Sequence, residues 1–250
     1  MAATYKPGAT MEDVAVAVKS ALDKQKVPIK YWQWDDWWYP GHPVYVWCVA
    51  DWSMLPDQFP SGLGGLYKKL DVPFLYYMPY WCMDNNTART QEWTFLTQDD
   101  CGWECEFTFV RGQQSEAFHL ALFNKFKPLG MSNYEQDFMV TNFVKTNLYS
   151  TNLTEYQDWA VGLNNAGRET EVAIQFCMAM PSDIMMSVHL DWVTNARASD
   201  DYAGGIDNLI NVPHAGLLMW SLGMRPSKDN FWTGAVPLLA SARLSYCMAG

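Results

Sequence analysis

The sequence has no CxxC pair among its six cysteines and no HxH or HExxH among its four histidines. Neither a structural zinc site nor a zinc hydrolase is expected, and the reading calls for no metal or other cofactor. Basic residues are scarce: 17 Lys and Arg stand against 27 Asp and Glu, a formal net charge of −10. A surface of that sign repels phosphate, so neither nucleic acid nor an anionic membrane surface is an expected partner. No apolar run approaches the roughly 20 residues that span a bilayer. No glycine-rich phosphate loop of the GxGxxG or GxxxxGK(S/T) type follows the first expected strand, which argues against a nucleotide site. No charged-then-apolar leader opens the chain, though its start is read below as internal to a longer protein.

Apolar and aromatic residues are abundant. Of 250 residues, 49% are hydrophobic, and Trp and Tyr each number 13. That suits one large α/β domain over residues 1–250, with a sizeable core. Aromatic faces can stack on sugar rings, but a large aromatic core is the simpler use for any one of them. Cys101 and Cys105, in Cys-Gly-Trp-Glu-Cys, are spaced for a local disulfide in an oxidising compartment. Asn85-Asn86-Thr87 and Asn152-Leu153-Thr154 are sequons for N-glycosylation in such a compartment. Compartment and oligomeric state stay open at this point.

Hydrophobic periodicity and breakers predict an alternating chain. Helices are expected over residues 11–26, with Thr10 as the N-cap, and over 62–70, 116–126, 153–165, 182–190 and 206–222. The sixth of these is expected to be interrupted at Pro213, and a closing helix is expected over 237–244. Strands are expected over 29–34, 72–77, 132–137, 172–177 and 192–196, with Phe231-Trp232 marking a sixth. Residues 83–112 read as a long loop insertion, hairpin-like, with turns at Asp99-Asp100 and Gly102; loops of that length are usually functional.

Strand–helix alternation without hairpin rhythm argues for a parallel sheet covered by helices, either an open doubly wound sheet or a closed (β/α)8 TIM barrel. Acids at the C-terminal ends of several strands decide for the barrel: Asp35 and Asp36, then Glu135 and Asp137, then Asp200 and Asp201. That end of a barrel is where catalytic side chains gather. The stretch Asn133-Tyr134-Glu135-Gln136-Asp137-Phe138-Met139 is the most telling, because a buried strand rarely holds two acids. Its acids are either a polar strand end or a catalytic pair. Crowded carboxylates repel, so one keeps a proton while another stays ionised, the division of labour that glycoside hydrolysis uses. Arg197, four residues before Asp201, either contacts a sugar or fixes a loop by pairing with the acid.

Four segments in order resemble the catalytic barrel of glycoside hydrolase clan D, the α-galactosidase and α-glucosidase superfamily. Within it they are most similar to family 36 and the raffinose synthases. They are Trp34-Asp35-Asp36-Trp37-Trp38; Asp51-Trp52 through Gln58-Phe59-Pro60-Ser61-Gly62-Leu63; Tyr134-Glu135-Gln136-Asp137; and Arg197-Ala198-Ser199-Asp200-Asp201-Tyr202. The resemblance implies a retaining α-glycosidase for galactosides or related α-glycosides, with Asp137 as nucleophile and Asp201 as acid/base. Asp35 and Asp36 would bind sugar hydroxyls, Arg197 would contact the sugar, and Glu135 is expected among the substrate-binding residues. Trp34, Trp52 and Trp81 would form stacking or wall residues, and Asp200 is an alternative proton donor. A raffinose-synthase-type transglycosylase would use the same carboxylates, and a carbohydrate-binding pseudoenzyme is the reading from another class. The α-galactosidases have a sugar-binding Lys two residues before the nucleophile, whereas Glu135 stands there in this chain. Nothing before residue 11 supplies the family's first strand, and residues 244–250 look like a final strand cut short. An incomplete barrel from a longer protein is therefore expected.

Overall fold

The computed structural model describes residues 8–36, 38–41, 48–82, 84–89, 92–98, 107–140, 144, 146–199 and 206–227. The first helix, α1 (Met11–Lys24), begins where the sequence dictates. Thr10 Oγ1 accepts the Asp13 N–H at 3.1 Å, and the Asp13 carboxylate accepts the Thr10 N–H at 3.0 Å, a reciprocal capping box. Strand β1 (Trp32–Trp34) follows, then α2 (Gly62–Leu70), β2 (Phe74–Met78) and the one-turn α3 (Asn86–Arg89). Strands β3 (Phe95–Gln98) and β4 (Phe107–Val110) form an antiparallel pair apart from the main sheet.

The second half repeats strand and helix: α4 (Ser115–Phe126), β5 (Met131–Gln136), α5 (Asn147–Thr151), α6 (Glu155–Thr170), β6 (Ala173–Phe176), α7 (Pro181–Met186), β7 (Val193–Arg197), α8 (Ile206–Ser221) and β8 (Arg225–Ser227). Six strands make one sheet in the order β1-β2-β5-β6-β7-β8, every neighbouring pair parallel. The sheet curls into a half-barrel with helices on its outer side.

Three expectations change. Helix α8 runs through Pro213 without interruption. The last described strand is Arg225–Ser227, where no strand was expected; its Pro226 cannot donate to a ladder. Among the described residues β8 ends the sheet order, where that missing donor is tolerated. Residues 231–232 and 237–244 lie outside the described residues, as do Cys101, Cys105 and Cys247.

Most of the aromatic residues pack between sheet and helices. Trp34 is fully buried, with Phe59 and Phe74 edge-on at 5.5 Å each. Trp52 lies among Trp38, Tyr76, Phe126 and Tyr134, and its indole N–H donates to the Tyr77 carbonyl at 3.2 Å. Trp81 packs on Phe95 and Phe118. Helices α4 and α6 approach closely at Gly162, where a Cβ would come within 2.6 Å of the Glu116 nitrogen. Between them His119 is buried and pushed down to about pKa 4 by that burial, so it stays neutral, its Nδ1 lying 2.7 Å from the Ser115 carbonyl. It is a satisfied core histidine. Among the described residues no helix is long and apolar enough to cross a membrane.

Candidate active site

The inner face of the curled sheet is built from alternate residues of each strand. Register places Gln33 opposite Leu75, Tyr77 opposite Glu135, Glu135 opposite Gln175, and Gln175 opposite Asn195. One residue pair further along each chain, towards the strands' C-terminal ends, come Asp35, Asp137, Cys177 and Arg197. The outer face of the same strands is mostly apolar (Trp34, Tyr76, Tyr134, Ile174), with Gln136 buried there and accepting the Tyr134 hydroxyl at 2.8 Å, whereas the inner face is largely polar. A polar lining on the inner side of a barrel-like sheet is a place for chemistry and not for core packing.

Asp137 stands just past β5, its own N–H donating to the Met78 carbonyl at 2.9 Å. Its carboxylate is held on both sides. The Tyr77 hydroxyl donates to Oδ2 at 2.8 Å, and the Phe138 N–H donates to Oδ1 at 2.7 Å. Phe138 itself takes a left-handed conformation, φ 56°. The Cys177 thiol is a further hydrogen-bond partner of Asp137. Burial, then the Asp137 and Glu135 carboxylates, push that thiol far up, so it stays protonated and donates. Burial and Asp137 do the same to the Tyr77 phenol.

Asp35 and Asp36 lie half-buried beside this group. The Asp36 carboxyl is raised above its ordinary value by burial and then by repulsion from Asp137. Tyr39 is buried in the same negative field, and its hydroxyl has no hydrogen-bond partner among the described residues. Arg197 is buried at the end of β7, and its charge is felt at Cys177. The structure thus brings Asp35, Asp36, Asp137 and Arg197 to one end of the sheet.

Glu135, one layer below Asp137, is 1% exposed. Gln33 Nε2 donates to its Oε2 at 2.7 Å, and Gln175 Nε2 donates to its Oε1 at 2.8 Å. Asn195 Nδ2 donates in turn to Gln175 Oε1 at 2.5 Å, fixing which way that amide faces. Gln33 Nε2 also reaches Asp35 Oδ2 at 3.2 Å. A carboxylate in a strand interior is thereby satisfied by amides from both flanks of the sheet. Glu135 is placed as a strut beneath the site.

Trp34, Trp52 and Trp81, expected as sugar-stacking or wall residues, are corrected here: all three are buried in the outer aromatic layer, on the far side of the strands from Asp137. Asp200 and Asp201 lie outside the described residues. The sequence reading missed Gln33, Tyr39, Tyr77, Gln175, Cys177 and Asn195. It also missed a disulfide between Cys48 and Cys82, which ties the loop after β1 to the loop after β2. Backbone bonds reinforce it, from Val49 N to the Tyr80 carbonyl at 2.9 Å and from Cys82 N to the Val49 carbonyl at 3.0 Å. Among the described residues no group of His, Cys, Asp and Glu is arranged to hold a metal ion.

No protein-family model and no curated protein matches the chain. Solved structures do. A GH27 β-L-arabinopyranosidase from Geobacillus stearothermophilus superposes with TM-score 0.59 at 18% identity, covering 90% of this chain and 58% of that one. A xylosidase from Aspergillus niger gives TM-score 0.60 at 10% identity, covering 89% and 36%. A candidate α-N-acetylgalactosaminidase from Bacillus halodurans C-125 gives 0.55 at 14%, covering 89% and 58%. The chain therefore has the fold of these glycosidases, over somewhat more than half the length of two of them and about a third of the other.

Proposed function

We propose that the chain is the catalytic segment of a retaining α-glycosidase, with Asp137 as nucleophile and Asp201 as acid/base. What supports this above all is the setting of Asp137, a carboxylate at the C-terminal end of a central strand with both oxygens held by donors. Such a carboxylate is aimed without being neutralised. It would attack the anomeric carbon while Asp201 protonates the leaving oxygen. Water deprotonated by Asp201 would then displace Asp137 from the glycosyl-enzyme. That mechanism sets the two carboxyl groups about 5–5.5 Å apart. Asp35 and Asp36 would accept hydrogen bonds from sugar hydroxyls. Arg197 would donate to the sugar from the opposite wall.

The substrate class is an α-linked glycoside. Galactose recognition through a cation two residues before the nucleophile has no counterpart, because both oxygens of Glu135 are already engaged by amides. The similar folds carry the names of glycosidases for three different sugars, which suits a shared chemistry with a variable sugar pocket. The test is Asp137→Ala with an activated aryl α-glycoside. Turnover should vanish and return with azide, giving a glycosyl azide. Unchanged turnover in that variant removes Asp137 from the reaction.

A further inference from the structure

Two sequons stand in the chain, and the structure separates them. Asn85 is fully buried, and its Nδ2 donates to the Cys82 carbonyl at 2.6 Å, beside the disulfide. An oligosaccharide on that nitrogen could not be held in this fold. Asn152 stands in the opposite setting. Residues 151–154 are all exposed, and Leu153 is 95% exposed. The Asn152 side chain caps the entry to α6 through its oxygen alone. Oδ1 accepts the Thr154 N–H at 2.9 Å, the Glu155 N–H at 3.0 Å and the Thr154 hydroxyl at 3.3 Å. Its Nδ2 makes no hydrogen bond among the described residues. The sequon hydroxyl thus already lies against the amide it must accompany, and the nitrogen faces solvent.

A second, independent observation concerns compartment. The Cys48–Cys82 bond is a structural disulfide between two loops, the kind kept in oxidising compartments, which are also where sequons are modified. We infer that Asn152 carries an N-linked oligosaccharide and that Asn85 does not.

The chemistry balances without redox change. The Asn152 amide nitrogen attacks the anomeric carbon of an oligosaccharide carried on a lipid diphosphate. The new N–C bond replaces the C–O bond to the diphosphate, the lipid diphosphate leaves, and one amide proton passes to base. The product keeps Oδ1 and one N–H, so the bonds that cap α6 survive the modification.

The test is expression of residues 1–250 behind a cleavable secretion leader in a eukaryotic host. Both retained and secreted chains would be read by intact mass and by peptide mapping without reductant. One oligosaccharide increment is expected, removed by peptide N-glycosidase with the deamidation mark on the peptide that contains Asn152. Thr154→Ala and Asn152→Gln should each lose the increment, and Thr154→Ser should keep it. Chains with the Cys48–Cys82 bond formed and Asn152 unmodified would overturn the inference, as would an oligosaccharide on Asn85.

Discussion

Glu135 shows how one residue can resist the change that a family resemblance suggests. A Lys there would place an ammonium among the Nε2 donors of Gln33 and Gln175, the second of which is locked by Asn195. Donors would then face donors, and the Gln33 and Gln175 amides would each lose a carboxylate acceptor. Glu135→Lys should therefore destabilise the fold by about 3 kcal/mol or more in urea denaturation. Equal stability of the variant would show that the amides turn freely and that the strut is not one. Asp36 gives a prediction of opposite sign. Its carboxyl is raised by burial and by Asp137, so the native state holds its proton to higher pH than the unfolded chain does. Below the ordinary carboxylate range of about 4 the residue costs nothing, and the cost grows as pH rises through the raised value. Asp36→Asn should then stabilise the protein by an amount that grows as pH rises from about 4 through the raised value and is constant above it, in thermal melts across pH, while weakening sugar binding. A difference that shrinks as pH rises would contradict the electrostatic account. Part of this was legible beforehand. Asp35, Asp36 and Asp137 stood out because acids at strand ends are conspicuous, and Arg197 by its spacing from Asp201. Gln33, Gln175 and Asn195 did not, because an amide attracts no notice alone. The signal was parity: Gln33, Glu135, Gln175 and Asn195 fall on the alternate positions that lead to Asp35, Asp137, Cys177 and Arg197.

At the scale of elements, helices were read well where breakers and apolar spacing agree, as at α1 with its Thr10–Asp13 box and at α2, which begins just after Pro60-Ser61. Strands were placed to within one to three residues, because turn residues bound them. What failed depends on partners far along the chain. Strand β8 carries Pro226 and is three residues long, too little pattern to stand out before its place at the end of the sheet order is known. Cys48 and Cys82, separated by 34 positions, gave way to the nearer Cys101 and Cys105 in a reading that uses spacing alone. The three tryptophans were assigned to sugar through the resemblance; Trp34 does stand next to Asp35, but in a strand the neighbour points to the other face. The disulfide joins the two loops that follow β1 and β2, beside Asp35 and Asp36. By loop-closure entropy its removal should cost about 3–4 kcal/mol. The Cys48→Ala, Cys82→Ala double variant should show that loss in chemical denaturation under non-reducing conditions. An unchanged midpoint and slope would mean that the Val49 backbone bonds alone hold the loops together.

For the whole molecule, the sheet order makes a graded prediction. Strand β5 is flanked by β2 and β6, lies under the outer aromatic layer, and holds the Glu135 strut on its inner face. Among the described residues β1 and β8 end the order, and each is three residues long. Local opening should therefore be rare at the centre and frequent at the ends. In native-state hydrogen exchange read by mass spectrometry, peptides over β5 should exchange last, at a rate set by global unfolding. Those over β1 and β8 should exchange at least about tenfold faster. The strut adds a second expectation. Because Gln33, Glu135 and Gln175 tie β1, β5 and β6 across the inner face, Glu135→Lys should speed exchange in all three strands together and leave the β3–β4 hairpin little changed. If β1 or β8 proves as protected as β5, the sheet is closed by further pairing beyond the six strands described. If the variant loosens β5 alone, the amides are neighbours of Glu135 but not its supports, and Asp35 and Asp137 are held independently of one another.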